Sequence, residues 1–128
     1  MTDALADTSV FIAEEQGRPM DRRRVPPELS VSIVTVGELR AGVLVADDAD
    51  ARGERLRTLE LALSFDPLPI DQPVAEAWAR LRAQMRDRDR RMPVNDSWIA
   101  ATAMALGIPV VTQDDDYAGI DGLDVIRV

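Results

Sequence analysis

Short apolar runs recur along this chain, each followed by a stretch of helical periodicity, and no two-residue turn folds one run back onto the next. Strands arranged this way pair in parallel through helical crossovers, which puts helices on both faces of the sheet. The first run, within ALADTSVF, predicts a buried strand ending near Asp7 and a helix starting at Thr8 or Ser9. Residues 17–28 hold three prolines and a basic run and read as a loop. LSVSIV, residues 29–34, predicts a second strand, and Thr35 opens a helix to about Ala46. Leu56, Leu59 and Leu63 share one face of a further helix that stops before Asp66 and Pro67. Leu68–Ile70 predicts a short strand, and Pro73 opens a helix whose apolar stripe is Val74, Trp78, Leu81 and Met85. From Asn95 another helix runs to Gly107; IPVVT, residues 108–112, is the clearest strand, and Asp124–Val128 makes the last. The expected fold is α/β, a three-layer sandwich with a central parallel sheet of four to five short strands flanked by helices.

At 128 residues the chain predicts one domain spanning 1–128. No apolar run approaches the roughly 18–20 residues that cross a bilayer. The opening MTDALADTSV lacks the basic start of a signal peptide, so the expectation is a cytoplasmic protein with no membrane association. Absences restrict the chemistry further. The chain has no His, no Cys and no Lys, all 15 of its basic residues being Arg. Serine–histidine and cysteine–histidine nucleophile systems, His/Cys zinc sites, Schiff-base lysines and the Walker A lysine are therefore excluded. What remains is carboxylates, hydroxyls, amides and arginines, a set that suits a hard cation with oxygen ligands, Mg²⁺ or Mn²⁺. The net charge of −8 argues against general, charge-driven binding of nucleic acid. Arginines nevertheless cluster at Arg18, Arg22, Arg23 and Arg24, and again from Arg80 to Arg91.

Placed on this outline, the acids gather. Asp7 follows the first strand, Glu38 lies in the first turn after the second, Asp96 opens the helix before IPVVT, and Asp114 and Asp116 follow that strand. In open parallel sheets, sites form beyond the carboxyl ends of the strands. Each residue has an ordinary reading as well. Thr35-x-x-Glu38 matches a capping box, Asn95 and Asp96 are common N-cap residues, and Asp114, Asp115 and Asp116 make an acceptable solvated turn. Asp7 is the hardest to explain so. Carboxylates crowded at one sheet edge repel each other unless a cation neutralises them, and together, in a chain without other catalytic groups, they favour a site.

ADTSVF, VTVGELRAGV, NDSWIAATA and VVTQDDDY, spread in order from residue 7 to residue 117, resemble the PIN-domain ribonucleases, and most of all the VapC-type toxins of bacterial toxin–antitoxin pairs. The resemblance implies a PIN-like sandwich and a site built of Asp7, Glu38, Asp96, Asp114 and Asp116, with Thr112 as the hydroxyl beside it. It makes Asp7 and Asp96 direct metal ligands, with Asp114 completing the set and Asp116 a further acid. Glu38 orients water or helps to hold a second metal. Thr112 holds a carboxylate or a phosphate oxygen, or is simply a β-branched strand residue. Thr8, Ser9 and Asn95 read as helix caps. Trp78 and Trp98 could stack on a base, but their spacing among aliphatics favours packing.

The implied activity is that of a Mg²⁺- or Mn²⁺-dependent endoribonuclease toxin of a type II toxin–antitoxin system. Metal-activated water would hydrolyse the phosphodiester, leaving 5′-phosphate and 3′-hydroxyl ends. Structured RNA cut in exposed loops is the implied substrate, with a cognate antitoxin and a second copy of the chain as protein partners. Either arginine cluster is a candidate for the positive surface that holds RNA. The rival is a non-catalytic RNA- or protein-binding module of the same fold, against which the full set of acids speaks. Receiver and haloacid-dehalogenase domains also place an aspartate after the first strand, but they need a lysine that this chain lacks.

Overall fold

A computed structural model describes residues 2–128. Four short strands, β1 (Ala4–Ala6), β2 (Leu29–Val31), β3 (Val110–Thr112) and β4 (Val125–Arg127), form one sheet of order β2-β1-β3-β4 with every pair parallel. Five helices surround it: α1 (Thr8–Gln16), α2 (Ile33–Leu44), α3 (Ala49–Leu63), α4 (Gln72–Asp87) and α5 (Val94–Leu106). β1 is central and wholly buried, as expected of a strand covered on both faces. Its side chains alternate between two cores. Leu5, with Val110, packs against Leu81 and Met85 of α4 and Ile99 and Ala103 of α5. Ala6, with Val31, packs against Phe11 of α1, Leu39 and Val43 of α2 and Leu59 of α3. The three layers match the expected sandwich.

The helix starts explain where the strands end. Ser32 is the N-cap of α2, and its hydroxyl accepts the Val34 N–H at 3.0 Å. The second strand therefore stops at Val31, and Ile33 and Val34, expected as strand, are helical. Cap formation outcompetes their β propensity, and Thr35, expected to open the helix, lies within it. The strand expected at Leu68–Ile70 is reduced to one parallel bridge between Ser32 and Leu68. Pro67 and Pro69 flank Leu68 and bring no N–H to extend the ladder. Asp48 and Asp71 cap α3 and α4, accepting from Ala51 and Val74 N–H groups. Gly17 and Gly107 take left-handed conformations, φ 65° and 66°, at the ends of α1 and α5. Residues 17–28 form the expected loop, with a 3₁₀ turn over Arg22–Arg24.

Trp78 of α4 and Trp98 of α5 stack with ring centroids 4.4 Å apart and planes 3° from parallel. The Trp78 indole N–H donates to the Ser97 hydroxyl at 3.0 Å, so the pair joins the two helices, as its spacing suggested. No helix of the described residues is long and apolar enough to cross a membrane.

Periodicity treats Leu56, Leu59 and Leu63 alike, but the packing does not. Leu59 is fully buried, whereas Leu56 and Leu63 are 38% and 43% exposed. Leu59→Ala is expected to cost about 2–5 kcal/mol and Leu63→Ala less than about 1 kcal/mol, read from urea midpoints at constant m. Equal losses would contradict this packing.

Candidate active site

The sheet order reverses direction between β1 and β3: from β1 the chain proceeds outward to β2 on one side, then returns to β3 on the other. The carboxyl ends of these two strands flank the crevice where open α/β sheets bind ligands. Asp7 stands at the end of β1, and Thr112 is the last residue of β3. Asp7 is 1% exposed and occupies the N-cap of α1, but its side chain makes no cap bond. Its oxygens take other donors. Oδ2 accepts from Ser9 Oγ at 2.6 Å and from Thr112 Oγ1 at 2.9 Å, and Oδ1 accepts from the Tyr117 hydroxyl at 2.8 Å. With two lone pairs per carboxylate oxygen, Oδ2 is filled, and the Asp114 side chain also hydrogen-bonds this carboxylate.

Thr112 is completely buried, and its hydroxyl also accepts the Asp114 N–H at 2.9 Å. Of its two site readings, holding a carboxylate is what the geometry supports, because the hydroxyl is consumed within the protein. Ser9 likewise accepts the Gln113 N–H at 3.0 Å. Both hydroxyls thus connect Asp7 to the chain that carries the downstream acids.

Asp96, in the first turn of α5, meets Asp114 and Asp116 from the loop after β3. One carboxylate oxygen from each lies within 4.8 Å of the others. Asp115, between the two loop acids, pairs instead with Arg127. Arg90 donates to the backbone carbonyls of Asp116 and Ala118 at 2.8 and 2.6 Å, which holds the loop without pairing the Asp116 carboxylate. Glu38 approaches from α2. Its Oε1 accepts from Thr8 Oγ1 at 2.8 Å, and Thr8 contacts Thr35 Oγ1 at 2.8 Å, so Thr35 donates to Thr8, which donates to Glu38. Asn95 also hydrogen-bonds Glu38. The capping-box reading of Thr35 and Glu38 gives way to this relay, because Ser32 already caps the helix.

The acids disturb one another. Burial, the hydrogen bond with Asp116 and the nearby charges of Asp7, Asp116 and Glu38 push Asp96 up to about 7. Burial and the Asp7 and Asp116 charges raise Asp114, against a smaller lowering by Arg127. Burial raises Glu38 above its ordinary range, with Thr8 and Asn95 opposing and Asp7 adding to the rise. Tyr117 is driven far upward, chiefly by burial and then by Asp7, so its phenol stays protonated and always donates. Such a group of oxygen donors, short of positive charge, has the chemistry of a divalent-cation site.

All six residues expected at the site therefore converge on one sheet edge. Asp96, Asp114 and Asp116 form the open cluster, and Asp7 lies beneath it with most of its lone pairs occupied. Sequence reasoning missed the role of Tyr117 and took Thr8, Ser9 and Asn95 for helix caps. The available signal was hydroxyl residues directly following Asp7 and a phenol directly following Asp116.

Comparison with known proteins identifies the family and the fold. A family profile described as PIN domain matches residues 4–123. Ribonuclease VapC4 of Mycobacterium tuberculosis is 52% identical over 125 residues, covering 98% of this chain and 96% of that protein. Ribonuclease VapC5 of the same organism is 47% identical over 125 residues, covering 95% and 93%. The crystal structure of VapBC-5, a member of the VapBC family of toxin–antitoxin systems from M. tuberculosis, matches with TM-score 0.91 and 42% identity over 100% of both chains. FitAcB from Neisseria gonorrhoeae matches with TM-score 0.74 and 28% identity over 97% of this chain and 96% of that one.

Two measurements test the site without a substrate. Thr112→Val keeps the shape but removes a donor to a buried carboxylate, and Tyr117→Phe does the same on the other oxygen. Each is expected to cost about 1–3 kcal/mol in urea denaturation, and a neutral effect of both would contradict the buried network. The second uses pH. Asp96 is pushed up from an ordinary 3.8 to about 7, so between those values the folded state holds a proton that the unfolded chain has lost. Stability contributed by that proton is full at low pH and is lost as pH rises toward 7. In EDTA the melting temperature is expected to be higher at about pH 5 than at about pH 7.5, with the difference reduced in Asp96→Asn. A melting temperature that climbs over this window would refute the assignment.

Proposed function

The chain belongs to the PIN-domain family, and we propose that within it this protein is a metal-dependent endoribonuclease, the toxin of a type II toxin–antitoxin pair. The observation that carries the reading is the meeting of Asp96, Asp114 and Asp116 oxygens within 4.8 Å above a buried Asp7, with no ion pair to the carboxylates of Asp96 or Asp116 among the described residues. A binding module would gain nothing from holding these acids against their mutual repulsion. High identity to proteins named Ribonuclease VapC4 and VapC5 supports the same activity.

Asp96, Asp114 and Asp116 would hold Mg²⁺ or Mn²⁺, with the Asp7 carboxylate beneath them. A cation bound there supplies Lewis-acid chemistry, acidifying water and offsetting charge on a phosphoryl oxygen. Ser9, Thr112 and Tyr117 keep the Asp7 carboxylate oriented. Glu38, held by Thr8 and Asn95, would accept the proton of the attacking water, and its raised pKa suits it to do so. Water attacks phosphorus and gives its proton to Glu38, the bond to the 3′-oxygen breaks, and that oxygen takes a proton from solvent water, leaving a 5′-phosphate and a 3′-hydroxyl. Structured RNA with an exposed loop is the proposed substrate, and the cytoplasm the proposed location. A cognate antitoxin and a second copy of the chain are the proposed partners. Exposed apolar residues such as Leu44 and Val45, each more than 70% accessible, leave surface for protein contacts.

Purified protein is expected to cut total bacterial RNA into discrete fragments with Mg²⁺ or Mn²⁺ and to stop in EDTA. Asp7→Asn and Asp96→Asn, checked for folding by circular dichroism, should each lose at least about 100-fold in rate. Cleavage that survives both substitutions would reject the proposed site, and absence of cleavage by abundant, antitoxin-free protein would reject the activity.

A further inference from the structure

A cleft of about 690 Å³ opens between the last turns of α4 and the start of α5. In a chain with 23 acids, it is lined by Arg82, Arg86, Arg90 and Arg91 and by no carboxylate. Its floor is apolar, with Leu81, Met85 and Met92. It ends at Ser97, the residue after Asp96, and Arg90 reaches from it to the Asp116 backbone carbonyl, so the chain links it to the acidic cluster at two points.

The arginines are not equivalent. Arg90 is committed to the carbonyls of Asp116 and Ala118, and Arg82 lies over the Trp78 ring at 5.0 Å from its centroid. Arg86 and Arg91 are exposed and have no ion pair or hydrogen-bond partner among the described residues. Their guanidinium forks, each with five N–H donors, stand free over an apolar floor. In the other basic cluster Arg22 pairs with Glu14 at 2.8 Å and Arg23 with Asp21 at 3.3 Å, so two of its four charges are compensated.

We propose that the α4–α5 cleft is the channel through which a single RNA strand reaches the acids, with Arg86 and Arg91 holding two backbone phosphates beside the scissile bond. Sugars and bases lie across the cleft floor, of which Met92 is the accessible apolar part. The cleft also answers a problem set by the charge of the site, because a polyanion approaching crowded carboxylates needs positive charge at the point of entry. Since backbone phosphates carry no sequence information, the cleft contributes affinity and register, not choice of sequence. This inference rests on the nuclease reading above.

The test is binding of a labelled 15-nucleotide single-stranded RNA to the full chain in the Asp96→Asn background, which keeps the strand intact, over a series of salt concentrations. Adding Arg86→Gln and Arg91→Gln together is expected to weaken binding about tenfold at moderate salt. It should also reduce the slope of log affinity against log salt by about 1.4, that is about 0.7 for each phosphate released. In the active protein the pair should raise KM more than it lowers kcat. Arg57→Gln, on an exposed position of α3 in the opposite layer, should leave all three unchanged. If the parent binds and cleaves RNA but the Arg86/Arg91 pair changes neither slope nor KM, the channel is refuted and the nuclease stands. If the parent neither binds nor cleaves RNA, both readings fall together.

Discussion

One buried carboxylate organises this molecule. Asp7 is removed from water without a cationic partner, and its charge is held by three hydroxyls drawn from separate segments: Ser9 in α1, Thr112 at the end of β3 and Tyr117 in the loop beyond. Charge-assisted hydrogen bonds of this kind are about twice as strong as neutral ones, and a buried charge without them would be untenable. Because the donors come from elements far apart in sequence, satisfying Asp7 also sets the register of the 113–117 loop against β1. The loop acids are thereby delivered to Asp96. The site is consequently a product of packing at the sheet edge and does not depend on a mobile segment to assemble it.

The same arrangement explains why the acids remain available. The three arginines that hold the loop are occupied elsewhere: Arg90 with main-chain carbonyls, Arg88 with the Gly119 carbonyl and Asp121, Arg127 with Asp115. They fasten the loop around the carboxylates while leaving the charge of Asp96 and Asp116 unmatched. Burial first, and then the neighbouring acids, raise Asp96, Asp114 and Glu38 above the ordinary carboxylate range.

Much of this was legible from residues alone, for identifiable reasons. The parallel sheet followed from strand–helix alternation, and the six candidate residues followed from the places where strands end. What escaped was decided by competition between neighbours. Nothing local in LSVSIVT says that Ser32 will cap before Ile33 and Val34 can extend the strand, and two prolines shrink the Leu68 strand to a bridge. At the site, Ser9 and Thr8 have strong N-cap propensity, so local reasoning assigned them to the helix; only the approach of β3 and α2 shows that they serve Asp7 and Glu38. The part played by Tyr117 is equally non-local, because it depends on a bond across 110 residues.

The stacked indoles have a consequence of an optical kind. The chain contains two tryptophans, and both lie in the single Trp78–Trp98 pair, capped by Arg82 on the wall of the arginine-lined cleft. Ultraviolet emission above the tyrosine band therefore has one address in the molecule. Through the Trp78–Ser97 bond that address is one residue away from Asp96. The protein carries a native chromophore at the junction of α4 and α5, so a movement of these helices against each other is visible without any added label.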